Sequence, residues 1–153
     1  MKFLADEMLK KTARWMRLIG LDTAYLEKVS DAKILEAAAK EEKELITKDE
    51  KLAEEAQKLG IGVLLLPQDG IENDLKRILE KYGLKPAFPE KTRCPECNGN
   101  LEQKKLEEVK EDVPAGSRES GERFWKCSSC GKVYWEGAHW ENIKRVLAQI
   151  QEH

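Results

Sequence analysis

Hydrophobic and polar positions change period along this chain, and the changes predict alternating strands and helices. Lys2-Phe3-Leu4-Ala5-Asp6 is a short apolar run halting at an acid, which reads as a buried strand delivering Asp6 to its carboxyl end. From Met8 to Gly20 the apolar positions are Met8, Leu9, Thr12, Ala13, Trp15, Met16 and Ile19. That is the i, i+3, i+4, i+7 spacing of a helix with one buried side, with Gly20 placed to end it. Lys10, Lys11, Arg14 and Arg17 fall on the opposite arc. Thr23-Ala24-Tyr25-Leu26 reads as a second strand, and Ser30 caps a helix with Ile34, Leu35 and Ala38 inside and Asp31 in its first turn.

Leu45-Ile46-Thr47-Lys48-Asp49 repeats the opening pattern, so two strands each present one acid before a helix. Leu52, Ala53, Ala56 and Leu59 mark the next helix, ended by Gly60, and Val63-Leu64-Leu65-Leu66-Pro67 is a fourth buried strand. Ile71, Leu75, Ile78, Leu79 and Tyr82 define a helix before Gly83. This alternation predicts an α/β domain whose largely parallel sheet is covered on both faces, with ligands at the carboxyl ends of its strands. Pro86 and Pro89 mark a boundary, giving domains of 1–88 and 89–153.

Beyond that boundary lie two cysteine knuckles, Cys94-Pro95-Glu96-Cys97 and Cys127-Ser128-Ser129-Cys130, 29 residues apart. Each C-x-x-C aims two sulfurs at one ion, and zinc takes four tetrahedral ligands, so the quartet reads as a structural zinc site. A redox dithiol would use one pair in a thioredoxin-like setting, whereas both pairs are matched here and no cysteine is left over. Loss of the metal is expected to unfold the tail and spare the α/β domain. Between the knuckles, the charged stretch from Glu102 to Arg123 leaves strand and helix equally arguable for Leu106 to Val113. Phe124-Trp125-Lys126 and Val133-Tyr134-Trp135 read as short strands, and Trp140, Ile143, Val146, Leu147 and Ile150 as a closing helix. The tail aromatics read first as the core of a small zinc-stabilised unit, with base stacking as the sharper alternative. His139 is not needed as a ligand, and His153 reads as a frayed terminus.

Composition narrows the picture. With 153 residues, 41% apolar and 37% charged, the chain can build a core but holds no apolar run long enough for a membrane span. It opens without a signal-peptide pattern, so a cytoplasmic location is expected. The net charge of -2 is not that of a protein coating nucleic acid, so any such contact is local. The charge is mostly Lys and Glu, with few Asn and Gln, the balance of thermophile surfaces.

Singly, Asp6 and Asp49 read as helix caps and Asp31 as a charge favouring a positive helix end. Gathered in one crevice they would repel, and Mg²⁺ or Mn²⁺ removes that cost by taking oxygen ligands. A metal so held activates water against a phosphate. Lys10, Arg14 and Arg17 read either as a solvated face or, because their helix starts beside Asp6, as contacts to a nucleic-acid backbone.

The segments Phe3-Leu4-Ala5-Asp6, Ala13-Arg14-Trp15-Met16-Arg17-Leu18-Ile19-Gly20, Leu45-Ile46-Thr47-Lys48-Asp49, Arg93-Cys94-Pro95-Glu96-Cys97-Asn98 and Val133-Tyr134-Trp135-Glu136-Gly137-Ala138-His139-Trp140 together resemble the Mut-seven carboxy-terminal RNase family. The resemblance covers nearly the whole chain. It implies a PIN-like three-layer nuclease domain followed by a zinc ribbon, and a metal-dependent endoribonuclease whose products carry 5′-phosphate and 3′-hydroxyl ends. Asp6, Asp31 and Asp49 would be the catalytic acids, with Glu36, Asp69 and Asp74 open as a fourth. Lys48 stands where the family often has Arg, which exchanges a bidentate phosphate fork for a point charge. The alternative is a non-catalytic RNA-binding or ribosome-associated adaptor that makes contact through the zinc ribbon.

Overall fold

The computed structural model describes residues 1–118 and 123–151; His153 lies outside them, as do residues 119–122 of the charged stretch between the knuckles. The chain divides into two compact units, Met1–Asn98 and Gly99–His153. The first is built on four strands, β1 (Lys2–Ala5), β2 (Asp22–Tyr25), β3 (Glu44–Thr47) and β4 (Val63–Leu65). All pair in parallel, in the order β2-β1-β3-β4.

The register aligns Leu4 with Ala24 and Leu45, and Leu45 with Val63, so these residues share one face. There they meet α2 (Asp31–Lys40) and α3 (Glu50–Lys58) in a core of Leu4, Ile34, Leu35, Ala38, Leu45, Leu52 and Ala56. The alternate residue Phe3 faces the other way and packs edge-on against Tyr82 of α4 (Ile71–Tyr82), with ring centroids 5.1 Å apart. Helix α1 (Lys10–Leu18) packs against α4. Apolar residues on both faces of the strands thus give the three layers that the alternating pattern predicted.

The strand order decides where chemistry can sit. From β1 the chain steps out to β2, then passes back beyond β1 to β3 and on to β4. Its progress across the sheet therefore reverses between β1 and β3, and at such a point the loops leaving the carboxyl ends diverge and open a crevice.

Two boundaries differ from the periodic reading. Met8 is 61% exposed, because Glu7–Leu9 form a single 3-10 turn ahead of α1 and take it off the apolar stripe. The first unit also runs on to Asn98 rather than ending at residue 88. Past Pro86 and Pro89 the chain hydrogen-bonds back onto the end of α1: Ala87 N donates to Ile19 O, Thr92 Oγ1 to Leu18 O and Arg93 N to Arg17 O. Gly20 makes this approach possible, since at φ 96° an added Cβ would meet Lys91 Cβ at 3.1 Å and Ala87 O at 3.3 Å. The prolines mark a turn of the chain, not the end of the unit.

The second unit holds a three-stranded antiparallel sheet of β5 (Leu101–Lys104), β6 (Phe124–Cys127) and β7 (Val133–Trp135). The stretch left open in sequence begins with a short helix, α5 (Leu106–Val109), and a 3-10 turn over Lys110–Asp112. Val109, Val113, Phe124 and Val133 form the core there. On the amphipathic helix α6 (His139–Gln151), Trp140 stacks on Trp125 at 5.6 Å, with the Arg123 guanidinium 5.6 Å from each ring. These aromatics are used in packing this unit. Among the described residues no helix is long and apolar enough to cross a membrane.

Candidate active site and metal centre

Asp6 directly follows β1 and is 4% exposed. Its Oδ1 accepts the Met8 N–H at 3.2 Å, and its Oδ2 accepts the hydroxyl of Thr47, the last residue of β3. The same Thr47 oxygen accepts the Asp49 N–H at 3.0 Å. Asp49 Oδ1 then accepts the N–H groups of Lys51 and Leu52 at 2.9 and 3.2 Å, capping α3. Both aspartates are therefore caps, as each would be alone, and one hydroxyl ties them together across neighbouring strands.

Asp31 lies exposed in the first turn of α2, behind the Ser30 cap. Burial pushes the Asp6 carboxyl above its ordinary range, the Thr47 and Met8 hydrogen bonds pull it back, and the charges of Asp49 and Asp31 push it up again. After burial, the charges of Asp49 and Asp31 thus add to what opposes ionisation of Asp6.

Of the acids left open as a fourth, Glu36 is exposed and Asp69 pairs with Arg77 at the surface, 2.7 Å away. Asp74 is buried in the first part of α4, where its Oδ2 accepts the Thr12 hydroxyl at 3.3 Å and lies 3.1 Å from Lys48 Nζ. Its Oδ1 has no hydrogen-bond partner among the described residues. Lys48 is thereby held in a pair whose side chains are 12% and 2% exposed.

The basic arc is not uniform. Lys10 is exposed, and Arg14 is half exposed and bridges to Glu96. Arg17 is buried, its Nε donating to Thr23 O at 2.8 Å and its Nη1 to Pro95 O at 2.7 Å. Helical period puts all three residues on one side, but the segment around Pro95 covers the carboxyl end of that side and takes Arg17 from solvent. Arg17 stood out in the sequence only as a member of the basic arc, and Thr47 carried no distinct signal. The nearest hint was a hydroxyl at the end of an otherwise apolar strand, two residues before an acid.

The sulfur atoms of Cys94, Cys97, Cys127 and Cys130 all lie within 4.8 Å of one another, and no disulfide joins them. Cys127 Sγ accepts the N–H groups of Ser129 and Cys130, each at 3.4 Å. An added Cβ on Gly99 would come within 2.8 Å of that sulfur, so only glycine fits there. Four soft donors so gathered can hold a metal such as zinc. A family model described as the Mut7-C RNAse domain matches residues 1–147. No curated protein matches the chain.

Proposed function

The chain belongs to the Mut7-C RNAse domain family, and we propose that it is a divalent-metal-dependent endoribonuclease of PIN-like architecture. Asp6, Asp31 and Asp49 are its catalytic acids, and zinc in the cysteine quartet is structural. The observation that carries this reading is Asp6, a carboxylate at the β1/β3 reversal whose ionisation is opposed first by burial and then by the charges of Asp49 and Asp31. Acids held against their own repulsion supply the oxygen donors that fit a hard cation. When bound, Mg²⁺ or Mn²⁺ supplies a Lewis acid and an activated water for in-line attack on an RNA phosphodiester.

The chain's own residues do the positioning. Thr47 fixes the Asp6 carboxylate and the start of α3 through one hydroxyl. Asp49 caps α3 with one oxygen. Lys10 and Arg14, exposed on α1 beyond Asp6, hold the RNA backbone through phosphates. Lys48 and Arg17 are structural in this reading, because their cationic groups are taken up by Asp74 and by backbone carbonyls.

The test is cleavage of structured and single-stranded RNA by wild type and Asp49→Asn, with Mn²⁺, with Mg²⁺ and without either. Asparagine caps helices as well as aspartate does, so the variant folds while the site loses a charge. Cleavage should depend on the metal and disappear in the variant, with RNA binding in the absence of metal retained. Equal cleavage by both proteins would overturn the assignment, and binding without cleavage by either would leave the adaptor reading in its place.

A further inference from the structure

Arg17 is a buried cation whose hydrogen bonds at Nε and Nη1 go to neutral carbonyls, those of Thr23 and Pro95. Burying a guanidinium is costly unless a negative charge faces it. Its Nη1 partner, Pro95 O, lies inside the first knuckle, directly after Cys94 and two residues before Cys97, with Glu96 between. Glu96 is already bridged to Arg14 at the surface. That leaves the first knuckle, whose cysteines are neutral as thiols and anionic only as thiolates, the form in which they bind zinc.

The knuckle is also built into the first unit. Asn98 Oδ1 accepts the Thr23 N–H at 3.0 Å and Arg93 Nε at 3.1 Å, while Asn98 Nδ2 donates to Asp22 Oδ1 at 2.7 Å. Strand β2 is the edge of its sheet, and Thr23 N is among the groups such an edge leaves unpaired. Arg17 and Asn98 therefore hold Thr23 from its two polar sides, carbonyl and amide, and both reach the segment that carries Cys94 and Cys97.

We infer that Arg17 is the outer-sphere counter-ion of the cysteine metal centre, and that through it metal occupancy stabilises α1 and β2 of the nuclease unit as well as the tail. A zinc ion with four thiolates is a net dianion, and Arg17 supplies a fixed positive charge on the side of Cys94 and Cys97. Its fork also fixes the Pro95 carbonyl and hence the bite of the first knuckle. Arg17 acts through the ligands, as a positioning residue. The expectation that metal loss spares the α/β domain is replaced: without thiolates, Arg17 is a buried charge without compensation, and β2 loosens.

The test uses the full reduced chain and does not involve cleavage, so it stands or falls apart from the proposed nuclease activity. Zinc affinity is measured by competition with a chromophoric chelator, and the centre is monitored by the sulfur-to-metal charge-transfer bands of its Co²⁺ form. Arg17→Met should weaken zinc binding about 10–100-fold, shrink the zinc-induced rise in the unfolding midpoint and shift the Co²⁺ bands. Arg17→Lys, which keeps the charge and gives up the fork, should recover part of the affinity. A merely structural Arg17 would lower the midpoint equally with and without zinc and leave affinity alone. Should Arg17→Met fail to fold, wild-type hydrogen exchange at the Thr23 amide decides, since zinc removal should accelerate it. Unchanged affinity in a folded Arg17→Met, unchanged Thr23 exchange on zinc removal, or a chain that takes up no zinc would each overturn the inference.

Discussion

Replacing Thr47 by valine keeps the branched shape of a fully buried strand residue and removes one hydroxyl. That hydroxyl donates to Asp6 Oδ2 and accepts from Asp49 N. Valine therefore leaves a buried carboxylate oxygen and a partly buried N–H each without this partner, at about 1–3 kcal/mol apiece. The expected loss is about 2–6 kcal/mol, large against the usual 5–15 kcal/mol of a domain. In urea this moves the unfolding midpoint down by roughly 1–3 M at unchanged slope. The measurement belongs in zinc-loaded protein without added Mg²⁺ or Mn²⁺, so that the cysteine centre is constant and the acidic site is read alone. Because the Thr47 bond is one of the two that lower the Asp6 carboxyl, its loss should raise that carboxyl further and weaken Mn²⁺ binding. Thr47→Ser restores the hydroxyl and should recover Mn²⁺ affinity, losing only the packing of one methyl group. Should valine match serine or wild type in both stability and metal affinity, Thr47 does not organise the acids and the reasoning fails.

Two further expectations follow from the buried charges. Asp6 is raised in the fold, so its favourable contribution is complete below its ordinary value of 3.8 and is lost as pH rises through the folded value; neutral pH carries the penalty. Asp6→Asn should therefore raise the thermal midpoint of Mg²⁺- and Mn²⁺-free protein at pH 7 and lose that advantage on acidification below 3.8, while Mn²⁺ binding is lost; equal midpoints for variant and wild type at pH 7 would contradict this. Lys48→Met strands the buried Asp74 charge and should cost about 3–5 kcal/mol by urea unfolding, with Lys48→Met/Asp74→Leu recovering most of it; simple additivity of the two single losses would refute the pairing.

Local patterns alone determined much of this protein. Short apolar runs and period-3.6 patterns located the four strands and four helices of the first unit, because a strand buried on both faces is apolar at successive positions and an amphipathic helix writes its period into neighbouring residues. Two C-x-x-C spacings identified a quartet that the structure gathers, because a knuckle's bite is itself local. The acids at the ends of β1 and β3 were visible for the same reason. Tertiary structure alone decided that these strands are neighbours at the β1/β3 reversal, since strand order depends on pairings between residues some forty positions apart that no local period encodes. It also decided that Thr47 joins Asp6 to Asp49. Arg17 shows the limit most directly. Its place on α1 follows from period, but its burial depends on Pro95, 78 positions further along the chain.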